Sequence, residues 1–180
     1  MYTHIDVRNF FEEHNQLITH YLVAHTNLRP SNMPTHKIES MATSAKKSLR
    51  YTLNCFAKLV NPSSPNNAYR KANRFRPLSI VTIEHLSPNI TTDKTIHFNI
   101  LLGNINPKFK TRHIEAIFRH CWVDMAHQSE NLFITEFDNN PRLLSYSLKE
   151  AEKSNTLSSV GLSAWDVENT FIPSSPAFID

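Results

Sequence analysis

Residues 95–103, TIHFNILLG, alternate between apolar and polar side chains with a period of two. This period is typical of a β-strand that buries one face, and the buried row would be Ile96, Phe98, Ile100 and Leu102. Residues 78–86, LSIVTIEHL, have the same character, with Val81 and Ile83 in the apolar row. We therefore predict that the two stretches form an antiparallel hairpin across residues 87–94, with both apolar rows packed against one core.

This hairpin would place three polar side chains together on the opposite face of the sheet. His97 and Asn99 come from the second strand, and Glu84 comes from the first. A carboxylate, an imidazole and an amide carbonyl suit a divalent ion such as Mg²⁺ or Mn²⁺ better than a structural zinc ion. His85 follows Glu84 directly, and successive side chains of a strand lie on opposite faces, so His85 should lie on the other face unless a bulge redirects it. The sequence therefore predicts a metal site formed by Glu84, His97 and Asn99.

Apolar spacing of three and four residues predicts the helices of the chain. They cover residues 6–23, 35–60, 112–126 and 142–153. Alternation over residues 132–138 predicts a third strand. The order helix, helix, strand, strand, helix, strand, helix predicts an α+β fold. In this fold helices pack on one face of a central antiparallel sheet, and the other face stays open as the active-site face.

The same reading divides the chain into three parts. Residues 1–34 form an N-terminal helical segment, residues 35–153 form the main domain, and residues 154–180 form a C-terminal tail. The tail contains one apolar patch, around Trp165. We expect it to cover the domain or to lead towards a partner.

Composition excludes several classes of protein. The two glycines, Gly103 and Gly161, cannot form a glycine-rich phosphate loop or a dinucleotide fingerprint. Cys55 and Cys121 lie in apolar helical patterns, which favours free thiols in a reducing compartment. No apolar run approaches the roughly 20 residues of a membrane span, and the N-terminus lacks the features of a signal peptide. We therefore expect a cytoplasmic protein with no membrane partner.

The distribution of charge favours a polyanionic partner. The net charge is +3, but residues 155–180 contain three acidic residues and no Lys or Arg, which leaves +6 on the rest of the chain. Residues 62–77 interleave Tyr69 and Phe75 with four basic residues, Arg70, Lys71, Arg74 and Arg76. Basic side chains can bind phosphates while aromatic rings stack on bases, so this segment is either a DNA-binding element or a solvated loop.

Tyr146 and Lys149 form a second candidate element on the predicted helix over residues 142–153. Tyr146 lies about 200° around that helix from the packed residue Leu144, and Lys149 follows one turn later. A phenol ionises near pH 10, so a bound cation and a nearby lysine would be needed for Tyr146 to act as a nucleophile. The alternative is that Tyr146 only fills an amphipathic helix.

Taken together, these segments resemble the HUH endonucleases, and most closely the single-tyrosine rolling-circle replication initiators of bacterial plasmids and phages. The resemblance covers about residues 53–153 and is carried by NAYRKANRFRPLSIVTIEH, KTIHFNILLGN, the helix through CWVDMA, and RLLSYSLKEAEK; WDVENT is similar as well. It implies a five-stranded antiparallel sheet related to the ferredoxin and RRM folds. It also implies metal-dependent cleavage of single-stranded DNA, with a 5′-phosphotyrosine intermediate and a free 3′-hydroxyl.

The resemblance also assigns roles to individual residues. His97 would be a metal ligand, Glu84 the accessory ligand, Tyr146 the nucleophile and Lys149 its neighbour. The family has two histidines around a hydrophobic residue, whereas this chain has His97-Phe98-Asn99. Asn99 can coordinate through its carbonyl oxygen, but more weakly than an imidazole.

Three functions follow from these observations. The first is an endonuclease that uses Mg²⁺ or Mn²⁺ to nick and join single-stranded or hairpin DNA during replication of a mobile element. In it Tyr146 attacks the phosphate, Arg70, Lys71, Arg74 and Arg76 hold the DNA, and host helicase and replication proteins are partners. The second is a DNA-binding or initiation module of the same fold with impaired cleavage, because of Asn99. The third is a protein-interaction domain that uses the region of Trp165 and binds no nucleic acid.

Overall fold

The computed structural model describes residues 4–86, 94–138 and 165–178. Its helices are α1 (His4–Glu13), α2 (Thr35–Leu59), α3 (Asn67–Arg70), α4 (Ala72–Phe75) and α5 (Thr111–Arg119). Its strands are β1 (Ile18–His25), β2 (Leu78–Glu84), β3 (His97–Gly103) and β4 (Leu132–Glu136). A 3₁₀ turn, Asn15–Leu17, precedes β1, and a π-helical turn, His120–Met125, extends α5.

The described strands form one sheet in the order β2-β3-β1-β4, and all neighbours are antiparallel. The helix α2 connects β1 to β2, and α5 connects β3 to β4, so each connection passes over the strand that lies between its two ends. This arrangement confirms the predicted α+β class. It also places β3 at the centre, between β2 and β1.

One face of the sheet carries the main core, as the alternating rows predicted. Val81 and Ile83 of β2 and the row from Ile96 to Leu102 pack against α2 and α5. The helices contribute their apolar stripes, which include Ile38, Ala42, Ala45, Leu49, Leu53, Phe56, Ile114 and Phe118. Burial of these residues on both sides of the interface supplies the hydrophobic free energy that holds the layers together.

The predicted helix over residues 6–23 is correct only in its first half. The helix ends at Glu13, and residues 18–25 form β1 instead. Because β1 lies inside the sheet, both of its faces carry apolar residues: Leu22 and Ala24 on one, Tyr21 and Val23 on the other. A strand buried on both faces loses its period-two signal, and its apolar residues then match helical spacing by coincidence.

The prediction of an open second face is also wrong. Phe11 of α1 and Trp165 pack on this face against Tyr21, Ile80 and Leu101, and Trp165 is buried. The second face is therefore covered at the end where β1 begins and β3 ends.

Residues 165–171 follow the outer edge of β2, so this part of the tail covers the domain. The Ser79 and Phe171 main chains exchange two hydrogen bonds of 2.9 and 2.7 Å, and the Asp166 amide donates to the Val81 carbonyl at 2.9 Å. The Asp166 carboxylate is fully buried and lies 3.6 Å from Lys46 Nζ. Burial raises the pKa of this carboxyl group, and the Lys46 charge and the Asn169 amide oppose that shift.

No helix in the described ranges combines the length and the hydrophobicity needed to cross a bilayer. This holds for the 25-residue α2, which carries charged residues along its exposed side.

Candidate metal centre

The predicted antiparallel pairing of β2 with β3 is confirmed, and it extends to the end of the sheet where β2 finishes. Glu84 pairs with His97, and Thr82 pairs with Asn99. The neighbouring strand β1 continues the row, since His25 pairs with His97 from the other side. Three adjacent strands therefore present Glu84, His97 and His25 next to one another.

Hydrogen bonds fix the Glu84 carboxylate on both oxygens. His97 Nε2 lies 3.2 Å from Oε2, and Asn99 Nδ2 donates to Oε1 at 2.7 Å. The Tyr21 hydroxyl in turn donates to Asn99 Oδ1 at 2.8 Å. All four side chains are buried, which makes the hydrogen bonds geometrically specific. Asn99 therefore acts here as a support that orients Glu84, with its carbonyl oxygen held by Tyr21.

The neighbouring side chains lower the pKa of Glu84. Burial favours the neutral carboxyl group, but the hydrogen bond and charge of His97, the amide of Asn99 and the charge of His85 favour the carboxylate more strongly. The net result is a pKa below the ordinary value. Glu84 is thus an anion at neutral pH, as a metal ligand must be.

The two ring nitrogens of His97 have different surroundings. Nε2 faces the Glu84 carboxylate at 3.2 Å, a spacing at which both atoms could coordinate one ion. Nδ1 is buried and has no hydrogen-bond partner among the described residues. A buried polar atom without a partner is costly and rare.

His85 joins this centre, although strand parity pointed it to the other face. Its backbone has a φ of 64°, in the left-handed region, and this conformation turns the chain directly after β2 ends. The His85 and His97 rings lie 4.6 Å apart, centroid to centroid. His85 Nδ1 donates to the Thr95 carbonyl at 2.9 Å, which orients the ring. One potential ligand atom from each of Glu84, His85 and His97 lies within 4.8 Å of the others.

His25 is a further histidine that sequence reasoning missed, because the predicted helix over residues 6–23 replaced most of the strand that carries it. Its ring stacks on His97 with a centroid distance of 4.8 Å and an interplanar angle of 21°. Burial and the neighbouring His97 and His85 lower its pKa to about 4, against a smaller opposing effect of Glu84. A neutral imidazole therefore borders the centre at neutral pH.

This pKa predicts an acid-sensitive fold when a chelator keeps metal away. Unfolded protein binds a proton at His25 near pH 6.5, whereas the folded protein does so only near pH 4. The stability gained from neutral His25 is thus present above pH 6.5 and decreases as the pH falls towards 4. We expect His25→Gln to flatten the dependence of the urea midpoint on pH in this window. Exposed His36→Gln is the control, and an equal flattening in both variants would contradict the assignment.

The predicted DNA-binding residues lie at the other end of β2. All four come before the start of β2 at Leu78: Arg70, Lys71, Arg74 and Arg76. Because β2 rises about 3.3 Å per residue up to Glu84, roughly 20 Å separates them from the metal centre. They therefore do not line the centre, contrary to a grip on DNA next to it. Tyr146 and Lys149 lie outside the described residues.

The chain was also compared with known proteins. No protein-family model, curated protein or solved structure matches it. The feature of the molecule that bears on function is the convergence of two imidazoles and one carboxylate, His85, His97 and Glu84, at one end of the sheet.

Proposed function

We propose that the protein is a metal-dependent endonuclease that nicks and rejoins single-stranded DNA through a tyrosine nucleophile, as the HUH enzymes do. The observation that carries this proposal is the convergence of Glu84, His85 and His97 within 4.8 Å. His85 supplies the second imidazole that the sequence lacks at Asn99. The strand order β2-β3-β1-β4 with two crossover helices also supports it, because this is the ferredoxin-like arrangement that the resemblance implies.

The ligand set favours Mn²⁺ over Mg²⁺ as the working ion. Mg²⁺ prefers an octahedron of oxygen ligands, whereas imidazole nitrogen suits transition ions. Three protein ligands leave coordination positions for water or for phosphate oxygens. When bound there, the ion would stabilise negative charge on the transferred phosphoryl group.

The chemistry proposed for the chain is a transesterification. The Tyr146 oxygen forms a bond to the scissile phosphorus, the bond from phosphorus to the 3′ oxygen breaks, and that oxygen leaves as the 3′-hydroxyl after it takes a proton. The tyrosine loses its proton in the same step, and Lys149 would favour the phenolate. Because a phosphodiester is exchanged for a phosphotyrosine, a later 3′-hydroxyl can reverse the reaction and reseal the strand.

The test is formation of a covalent adduct. The protein is incubated with Mn²⁺ and origin-like single-stranded or hairpin oligonucleotides that carry a label on the 3′ fragment, and labelled protein is detected on a denaturing gel. We expect Tyr146→Phe to abolish the adduct and exposed Tyr51→Phe to retain it. An adduct that persists in Tyr146→Phe would remove the nucleophile assignment.

A second function, DNA binding by the same fold without cleavage, is favoured by one observation. Asn99 stands where the family has a histidine, and its amide is held by Glu84 and Tyr21. A protein of this kind would bind DNA but give no adduct with any divalent ion, and Asn99→His would restore nicking. The third function, a protein-interaction surface around Trp165, is disfavoured because that side chain is buried and because Glu84 and His97 are in contact.

A further inference from the structure

Two basic segments meet at the end of the sheet that lies farthest from the metal centre. Leu78 pairs with Gly103, so the residues before β2 and the residues after β3 leave the sheet at the same place. Buried Asn104 connects them, since its Nδ2 donates to the carbonyls of Arg74 and Arg76, both at 2.9 Å. The two segments are therefore held together as one surface.

This surface carries a high density of positive charge. Residues 61–77 and 104–112 contain no Asp or Glu. Their exposed cations are Arg70, Lys71, Arg74, Lys108, Lys110 and Arg112. We call these six residues the basic end. Its acidic border is Glu136 on β4, which accepts a hydrogen bond from Thr111. The cations thus lie towards β2 and β3, and Glu136 lies towards β4.

Aromatic rings accompany these cations. The Arg74 guanidinium lies 5.5 Å from the Phe75 ring, Lys108 Nζ lies 5.3 Å from the Phe109 ring, and Tyr69 is 42% exposed. Cations that neutralise phosphates next to rings that stack on bases are the two features of single-strand binding surfaces. Because the Phe75 and Phe109 rings already contact cations, the exposed cations are the main feature that favours a polyanionic strand.

We propose that the basic end is the docking surface for the phosphate backbone of single-stranded nucleic acid, separate from the metal centre. The inference rests on the nucleic-acid partner of the proposed function but needs no cleavage. The two sites lie about 20 Å apart along β2. Affinity and its salt dependence then belong to the basic end, while Glu84 and its histidines determine the chemistry.

The test measures binding as a function of salt. Fluorescence anisotropy of a labelled oligo(dT) is recorded in EDTA between 50 and 300 mM salt. Each phosphate that the protein neutralises contributes about 0.7 to the slope of log affinity against log salt concentration. Lys71→Gln with Lys108→Gln takes one exposed cation from each segment, and we expect the slope to fall by about 1.4. The control removes two exposed cations from α2, Lys37→Gln with Lys47→Gln, and should leave the slope unchanged.

The possible outcomes distinguish a failure of this docking surface from a failure of the proposed endonuclease function. An unchanged slope in the Lys71/Lys108 variant, or equal losses in both double variants, would overturn the docking surface. Binding to anionic phosphatidylserine vesicles without binding to oligo(dT) would overturn it as well. Intact, salt-dependent binding with no covalent adduct under any divalent ion would support the basic end and reject the nuclease instead.

Discussion

Alanine at position 103 should destabilise the protein by roughly 3 kcal/mol or more, since a rigid clash inside the core has no easy relief. Gly103 ends β3 and pairs with Ile18, where the register of β1 shifts. A Cβ atom built on Gly103 would overlap the carbonyl oxygen of Leu17 and lie 2.9 Å from its carbonyl carbon. Both atoms belong to the main chain, so the turn before β1 would have to move away from the sheet.

Urea denaturation of Gly103→Ala followed by circular dichroism measures this effect. Exposed Ser44→Ala on α2 controls for the introduction of an alanine and should change the stability by less than about 0.5 kcal/mol. A Gly103→Ala variant as stable as the wild type would show that the turn at Leu17 is not fixed against β3.

Glu84→Gln should weaken Mn²⁺ binding by about 100-fold, the upper range for loss of a carboxylate that ligates or orients a metal-binding histidine. Glutamine keeps the shape but replaces one acceptor with a donor. Asn99 Nδ2 already donates to one side of residue 84, so the new amide would face His97 Nε2. The variant therefore loses a charged ligand and places a hydrogen-bond donor beside His97 Nε2, where the ion would bind.

Isothermal titration of the apo protein with Mn²⁺ gives the affinity, and a thermal melt in EDTA shows whether the variant is folded. Exposed Glu39→Gln on α2 makes the same chemical change away from the centre and should bind as the wild type does. A folded Glu84→Gln variant with undiminished affinity would contradict a metal role for this residue.

The best-predicted part of the molecule is the β2–β3 hairpin. Its apolar rows predicted which side chains share a face, because a shift by one residue would turn Ile83 and Phe98 out of the core. Glu84, His97 and Asn99 lie on one face, as this alternation predicted. Two strands with clean alternation thus predict which side chains share a face without any knowledge of the rest of the chain.

The missed parts depend on information that alternation does not contain. β1 is apolar on both faces, so residues 18–23 were predicted as helix and the strand position of His25 was missed. His85 reaches the centre through the sign of a single φ angle. Arg70, Lys71 and Arg74 of the basic end lie shortly before β2 in sequence, yet the length of β2 separates them from Glu84. The covering of the second face by α1 and Trp165 depends on contacts between segments with no shared pattern.

The segment on the outer edge of β2 has a consequence for assembly. An edge strand offers free amides and carbonyls to any extended peptide, including another copy of the chain. Here residues 165–171 already occupy these groups, and buried Asp166 anchors them to α2 through Lys46. A tethered segment competes at a high effective concentration. A foreign strand must therefore displace the chain's own C-terminal segment before it can extend the sheet at β2.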